Sequence, residues 1–86
     1  MQEQEIIDRI QTLYPDAAIE ASGENCNFEV FIVSYAFDGV SLLKRQQSIL
    51  GLFTKELKTG KLHALGVKAK TLAEFNQSSS RLIQIG

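Results

Sequence analysis

The strongest constraint on this chain is one long helical pattern lodged between two strand-like runs. At about 100° per residue, Leu42, Leu43, Gln46, Ile49, Leu50, Phe53 and Leu57 fall on one side of a helix. Lys44, Ser48, Gly51, Lys55 and Lys58 line the other side. Ser41 is placed to cap the start and Gly60 lies just past the end, so a helix is expected over about residues 42–58, its apolar face on a sheet. Phe28 to Val33 before it is β-branched and aromatic, and Leu62 to Lys68 after it reads as a further strand. A helical crossover between two strands allows them to pair in parallel.

The first half supplies the rest of the sheet. Ile6, Ile7, Ile10, Leu13 and Tyr14 recur at helical spacing until Pro15, which predicts a helix over about residues 2–13. Ala17, Ile19 and Ala21 alternate with polar residues as a half-buried strand does. Gly23-Glu24-Asn25-Cys26-Asn27 is a turn-rich connector, so the first two strands are expected to form a hairpin with Cys26 on its polar, exposed loop. Thr71 can cap a short closing helix over about residues 72–77. Ser78, Ser79 and Ser80 then open a tail, residues 78–86, expected to be mobile. The expectation is α+β: one small domain over 1–77, order α-β-β-α-β-α, with a three-stranded sheet and helices packed on one face.

Eighty-six residues suffice for one modest core, burying roughly 60–65% of the unfolded surface. A single cysteine forms no internal disulfide, so nothing depends on an oxidising compartment. No apolar run approaches the ~20 residues of a membrane span. The acidic start, Met1 to Glu5, is unlike a signal or transit peptide, and a cytoplasmic monomer is expected. Charge is segregated. Residues 1–39 hold eight acids against Arg9 alone, whereas residues 40–70 hold Lys44, Arg45, Lys55, Lys58, Lys61, Lys68 and Lys70 against Glu56. Such segregation reads either as a basic side that steers encounters with an acidic partner or nucleic acid, or as a solvated surface whose charges happen to cluster.

Several short motifs stand in order between residues 28 and 75: Phe28-Glu29-Val30, Val33-Ser34 with Phe37 and Gly39, Arg45-Gln46-Gln47, and Leu62-His63-Ala64-Leu65 with Lys68 following. Each alone is weak. Together, from about Ile10 to Phe75, the chain resembles the BolA family. That resemblance implies a fold similar to the second type of KH domain. It also implies a monothiol glutaredoxin as partner, with a [2Fe-2S] cluster shared between the two proteins and glutathione, and no cofactor in the isolated monomer. The family's cluster histidine corresponds to His63. Its second ligand comes from the loop before the second strand, where many bacterial members place a histidine and this chain has Asn27. Cys26, one position earlier, matches the cysteine of other members and is the better placed ligand. The family's Thr-Pro-Ala-Glu-Trp stands here as Thr71-Leu72-Ala73-Glu74-Phe75.

The residues themselves limit the readings. A lone histidine in a strand reads as an ordinary half-buried side chain, and a lone cysteine as a small hydrophobe. One thiol and one imidazole cannot enclose a cluster or complete a zinc site, so either the site is shared or there is no metal. Histidine ligation would raise a cluster's reduction potential relative to cysteine alone. No nucleophile–base–acid constellation, phosphate loop or paired acid site appears, which argues against an enzyme. No two glycines stand three apart, so the clamp of an RNA-binding KH domain is missing. Phe31 and Phe53 read as core rather than as base-stacking platforms. The expected function is a non-enzymatic adaptor in iron–sulfur cluster trafficking or iron sensing. The alternatives are a DNA-binding transcriptional regulator using the basic 44–70 surface (Lys44, Lys55, Lys58, Lys61, Lys68, Lys70), and a plain interaction module without metal.

Overall fold

Alternation builds the sheet. In the computed structural model, which describes residues 1–77, Phe28, Val30 and Ile32 are buried along one strand and Leu65, Val67 and Ala69 along another. The tail expected over 78–86 lies outside the described residues. The elements run α1 (Glu3–Leu13), β1 (Ala18–Glu24), β2 (Asn27–Val33), a 3₁₀ turn (Tyr35–Phe37), α2 (Leu42–Gly51), α3 (Thr54–Thr59) and β3 (Ala64–Lys70). A closing helix, α4, covers 72–77. β2 is central, antiparallel to β1 and parallel to β3. The helical crossover therefore has the expected consequence.

The buried faces of β2 and β3 meet α1 and the α2–α3 pair. Ile6 and Ile10 of α1, Ile49 of α2, Phe53 and Leu62 are all fully buried with Val30 and Ile32. Phe37 closes the core beside Tyr14, ring centroids 4.9 Å apart. Each such aromatic or branched side chain contributes about 1.5–3 kcal/mol by leaving water. Phe31 points the other way by strand alternation. It is half-buried there because Phe75 of α4 packs edge-on against it at 6.1 Å. The closing helix thus reaches round to the face that α1, α2 and α3 leave open.

The single helix expected over 42–58 is two helices. Gly51 is the weak point, since glycine inside a helix costs roughly 1 kcal/mol relative to alanine. The amides of Leu52 and Phe53 bond back three residues, to Ile49 and Leu50, and Phe53 leaves helical geometry at φ −119° and ψ 18°. Arg9 takes the Leu52 carbonyl at 3.0 Å. The packed side of α2 also differs from expectation. Leu42 and Leu43, assigned to the apolar face, are 66% and 65% exposed, while Arg45 is buried at 5%. Arg45 turns inward because three acceptors await it: the Val40 carbonyl at 2.8 Å, the Ala69 carbonyl at 3.1 Å and the Glu74 carboxylate at 2.7 Å. Its guanidinium also lies 5.7 Å from the Phe37 ring centroid. A helix face defined by apolar residues alone misses a charged residue that brings its own partners.

Three carboxylates hold the joints of this fold. Asp16 accepts from the Tyr35 amide and the Ser34 hydroxyl, Glu56 from Arg9, and Glu74 from Arg45 and the Thr71 amide. The Glu74 amide in turn donates to the Thr71 hydroxyl oxygen, completing the capping box that starts α4. The Tyr35 amide and Ser34 hold the Asp16 carboxyl below the usual carboxylate range, Arg9 does so for Glu56, and Arg45 with the Thr71 amide for Glu74. A carboxylate whose folded pKa is depressed stabilises the fold fully above its unfolded pKa, near 4, and loses that contribution as pH falls through the folded value. The thermal midpoint should therefore be level from neutral to about pH 5 and decline below it. Glu74→Gln should lower the neutral-pH midpoint and flatten the acid decline. An acid slope identical to that of the unsubstituted protein would count against this assignment.

Candidate functional site

Two turns deliver the ligand-type residues to one end of the sheet. After α3 the chain reverses at Gly60, whose φ of 84° is the left-handed conformation glycine adopts freely. The Leu62 amide then bonds to the Glu56 carbonyl at 3.0 Å, and the Leu62 side chain is fully buried. That anchor leaves His63 exposed, immediately before the first residue of β3. The strand expected over Leu62–Lys68 is Ala64–Lys70, so His63 leads into it rather than lying within it.

The hairpin is tighter than its composition suggests. Glu24 and Asn27 are the last register partners of β1 and β2, so the connector expected over five residues is a turn with Asn25 and Cys26 between the strands. Asn25 has φ 60°, which asparagine tolerates better than most residues. Gly23 has φ 141°, and a Cβ there would collide with the Asn27 carbonyl oxygen and lie 2.8 Å from the Phe28 Cα. Cys26 is half-buried at the turn.

These two ends meet. The Cys26 carbonyl accepts the His63 amide at 2.7 Å and the Ala64 amide at 3.3 Å. The contact continues the parallel ladder beyond its Asn27–Ala64 partners. The chain's only thiol and only imidazole are thereby carried on adjoining backbone at one end of the sheet, with His63 exposed and Cys26, expected on an exposed loop, half-buried. Asn27, the alternative loop position, is exposed at the start of β2. Among the described residues, no three His, Cys, Asp or Glu side chains group as a metal site. A thiol and an imidazole would suit at most two ligand positions on a soft or borderline metal.

The six lysines do not share one side. Lys44 on α2, Lys55 and Lys58 on α3, and Lys61 after them are exposed along the helical layer. Lys68 and Lys70 alternate with the buried residues of β3 and belong to the opposite face. There Lys68 pairs with Glu29 at 3.2 Å and the Lys70 ammonium sits 5.9 Å from the Phe31 ring centroid. Phe53 is core as expected; Phe31 is half-buried on that opposite face. The conspicuous motif residues Ser34, Phe37 and Arg45 are likewise occupied in folding. Arg9 and Glu56 drew no attention in the sequence beyond their charge, yet their 2.7 Å ion pair holds α3 against α1. None of the described helices is long and apolar enough to cross a membrane.

Comparison with known proteins agrees with this architecture. The sequence pattern of the family described as BolA-like protein matches residues 4–74. The acid stress protein IbaG of Escherichia coli K12 is 35% identical over 57 residues, covering 66% of this chain and 68% of that protein. SufE-like protein 1 of Arabidopsis thaliana, chloroplastic/mitochondrial, is 54% identical over 48 residues, covering 56% of this chain but only 13% of that longer protein. The solved structure of the BolA domain of SufE1 from the same plant superposes with a TM-score of 0.74 at 35% identity, over 83% of this chain and 92% of that one.

Proposed function

The chain belongs to the BolA-like protein family, and from that premise we propose that it is a non-enzymatic adaptor that partners a monothiol glutaredoxin and shares a [2Fe-2S] cluster with it, in iron–sulfur cluster trafficking or iron sensing. The observation that carries this reading is the 2.7 Å bond from the His63 amide to the Cys26 carbonyl. It joins the backbone of the two residues that carry the thiol and the imidazole, with His63 exposed and Cys26 half-buried. Two donors are too few to hold a cluster, which makes a partner a chemical requirement. Within this chain, Cys26 and His63 would hold one iron, and the cluster would supply the link between the two proteins. The occurrence of a BolA domain inside a much longer relative also suits a module that works joined to other polypeptides.

The direct test mixes the protein with a monothiol glutaredoxin, glutathione, ferrous iron and sulfide. A one-to-one complex with a two-iron, two-sulfur absorption and circular dichroism spectrum is expected. A glutaredoxin that keeps its cluster unchanged in the presence of this protein, with no complex formed, would defeat the reading.

The second reading, a DNA-binding regulator, is favoured by the exposed lysines of the helical layer. Reversing Lys44, Lys55 and Lys58 to glutamate separates the two. These exposed positions should shift stability by no more than about 0.5 kcal/mol each. If the lysines guide an acidic partner, reversal should slow association with glutaredoxin about ten-fold at low salt and change dissociation little. Duplex binding should be weak and sequence-blind at physiological salt. Tight, selective duplex binding by the metal-free protein, abolished by the same reversal, would put the regulator first.

A further inference from the structure

The segment that carries His63 is tied to a residue far from it. His63 follows Leu62, and Leu62 is fixed twice, by complete burial and by its amide bond to the Glu56 carbonyl at 3.0 Å. Glu56 lies in α3, a short helix separated from α2 by the break at Leu52 and Phe53. Beside the packing of Leu57 and of the buried N-cap Phe53 against the core, the polar tie on α3 is Arg9 of α1. One guanidinium nitrogen bonds both the Glu56 carboxylate at 2.7 Å and the Leu52 carbonyl at 3.0 Å, and the guanidinium carbon sits 5.0 Å from the Phe53 ring centroid. The same arginine therefore grips both sides of the break. The side chains are 35% and 16% exposed, so the pair is partly sheltered and still subject to screening by salt.

We propose that Arg9 is a positioning residue for the Cys26–His63 pair: by clamping α3 through Glu56 and Leu52, it sets where Leu62 docks and hence where His63 meets the Cys26 turn. A six-residue helix has little stability of its own. Without the clamp, α3 and the Gly60–His63 turn have fewer restraints on local opening, while β1 and β2 keep their own ladder and core. For its effect on a metal the inference rests on the adaptor reading above; for its effect on the chain it does not.

Amide hydrogen exchange of the isolated protein, followed residue by residue, tests it. Arg9→Gln should speed exchange at Leu62 and His63 about ten-fold while the amides of Val30 and Ile32 keep their protection. Glu56→Gln, which retains an amide oxygen as acceptor but loses the charge, should give the same pattern more weakly. Arg9→Lys should restore part of the protection at His63. In the complex with glutaredoxin, Arg9→Gln should shorten the cluster's lifetime and alter its circular dichroism, although Arg9 supplies no ligand. Equal acceleration at every amide, or none at His63 in either variant, would overturn the proposal. If the unsubstituted protein forms no shared cluster, the adaptor reading fails, and the exchange data still decide the role of Arg9.

Discussion

His63→Ala should abolish stable retention of the cluster in the glutaredoxin complex while leaving the protein folded. His63 is exposed and its backbone bond to Cys26 survives the substitution, so the thermal midpoint should move by no more than about 0.5 kcal/mol in stability. The loss at the metal should be far larger. Changing a residue that only supports a metal ligand already costs roughly 10–100-fold in affinity, and removing the ligand itself should exceed that. The visible and circular dichroism spectra should change in band position, and the lifetime should fall by a similar factor. Cys26→Ser should act in the same direction, because a hydroxyl is a much poorer ligand than a thiolate. Asn27→Ala should do little, since a carboxamide is a poor iron ligand. An unchanged spectrum and lifetime in His63→Ala would remove His63 from the site. Should Asn27→His tighten the cluster while Cys26→Ser has no effect, the second ligand belongs one position later in the turn.

The parts of this fold that were legible in the sequence are those governed by local periodicity. Phe28, Val30 and Ile32 alternate into the core as read, and Ile6 and Ile10 recur on the buried side of a helix. Thr71 opens the last helix through a capping box with Glu74, three residues on. Two of the misplacements involve a partner remote in sequence. Arg45 finds its acceptors at Ala69 and Glu74, 24 and 29 residues away, and these turn α2 so that Leu42 and Leu43 face out. Arg9 reaches 43 and 47 residues to Leu52 and Glu56, and there the helix divides. The site shows the same division. The residue types at Cys26 and His63 announced their chemistry, but their adjacency follows from the β2–β3 register, which neither residue's neighbours encode. Gly23 and Glu24 looked like loop and are strand, because turn-forming composition does not reveal how many of its residues the ladder absorbs.

Gly23→Ala should be the most damaging of the small glycine substitutions, and its comparison with two others isolates the reason. At Gly39, φ is 73° and nothing lies within 4 Å of an added Cβ, so alanine there incurs only left-handed backbone strain, about 1–2 kcal/mol. At Gly66 the added Cβ meets the Glu29 side chain at an ordinary 3.5 Å, and no left-handed backbone is involved. Alanine there should be neutral or stabilising by about 0.4–1 kcal/mol, because it restricts the unfolded chain. Gly23 combines both penalties. Its φ is 141°, and its Cβ would strike the Asn27 carbonyl and the Phe28 Cα, backbone atoms that no side-chain rotation can move aside. The expected loss is about 2–4 kcal/mol, or roughly 10–25 °C in thermal midpoint for a domain this size. The hairpin has to shift to relieve the contact, and the Cys26 carbonyl would shift with it. The His63 amide would then lose its partner, so Gly23→Ala should also weaken cluster retention, which Gly39→Ala should leave intact. Thermal denaturation of the three variants, with spectra of their glutaredoxin complexes, measures both effects. A midpoint for Gly23→Ala no lower than that of Gly39→Ala would mean that the turn relaxes at little cost and does not rigidly hold Cys26 against His63.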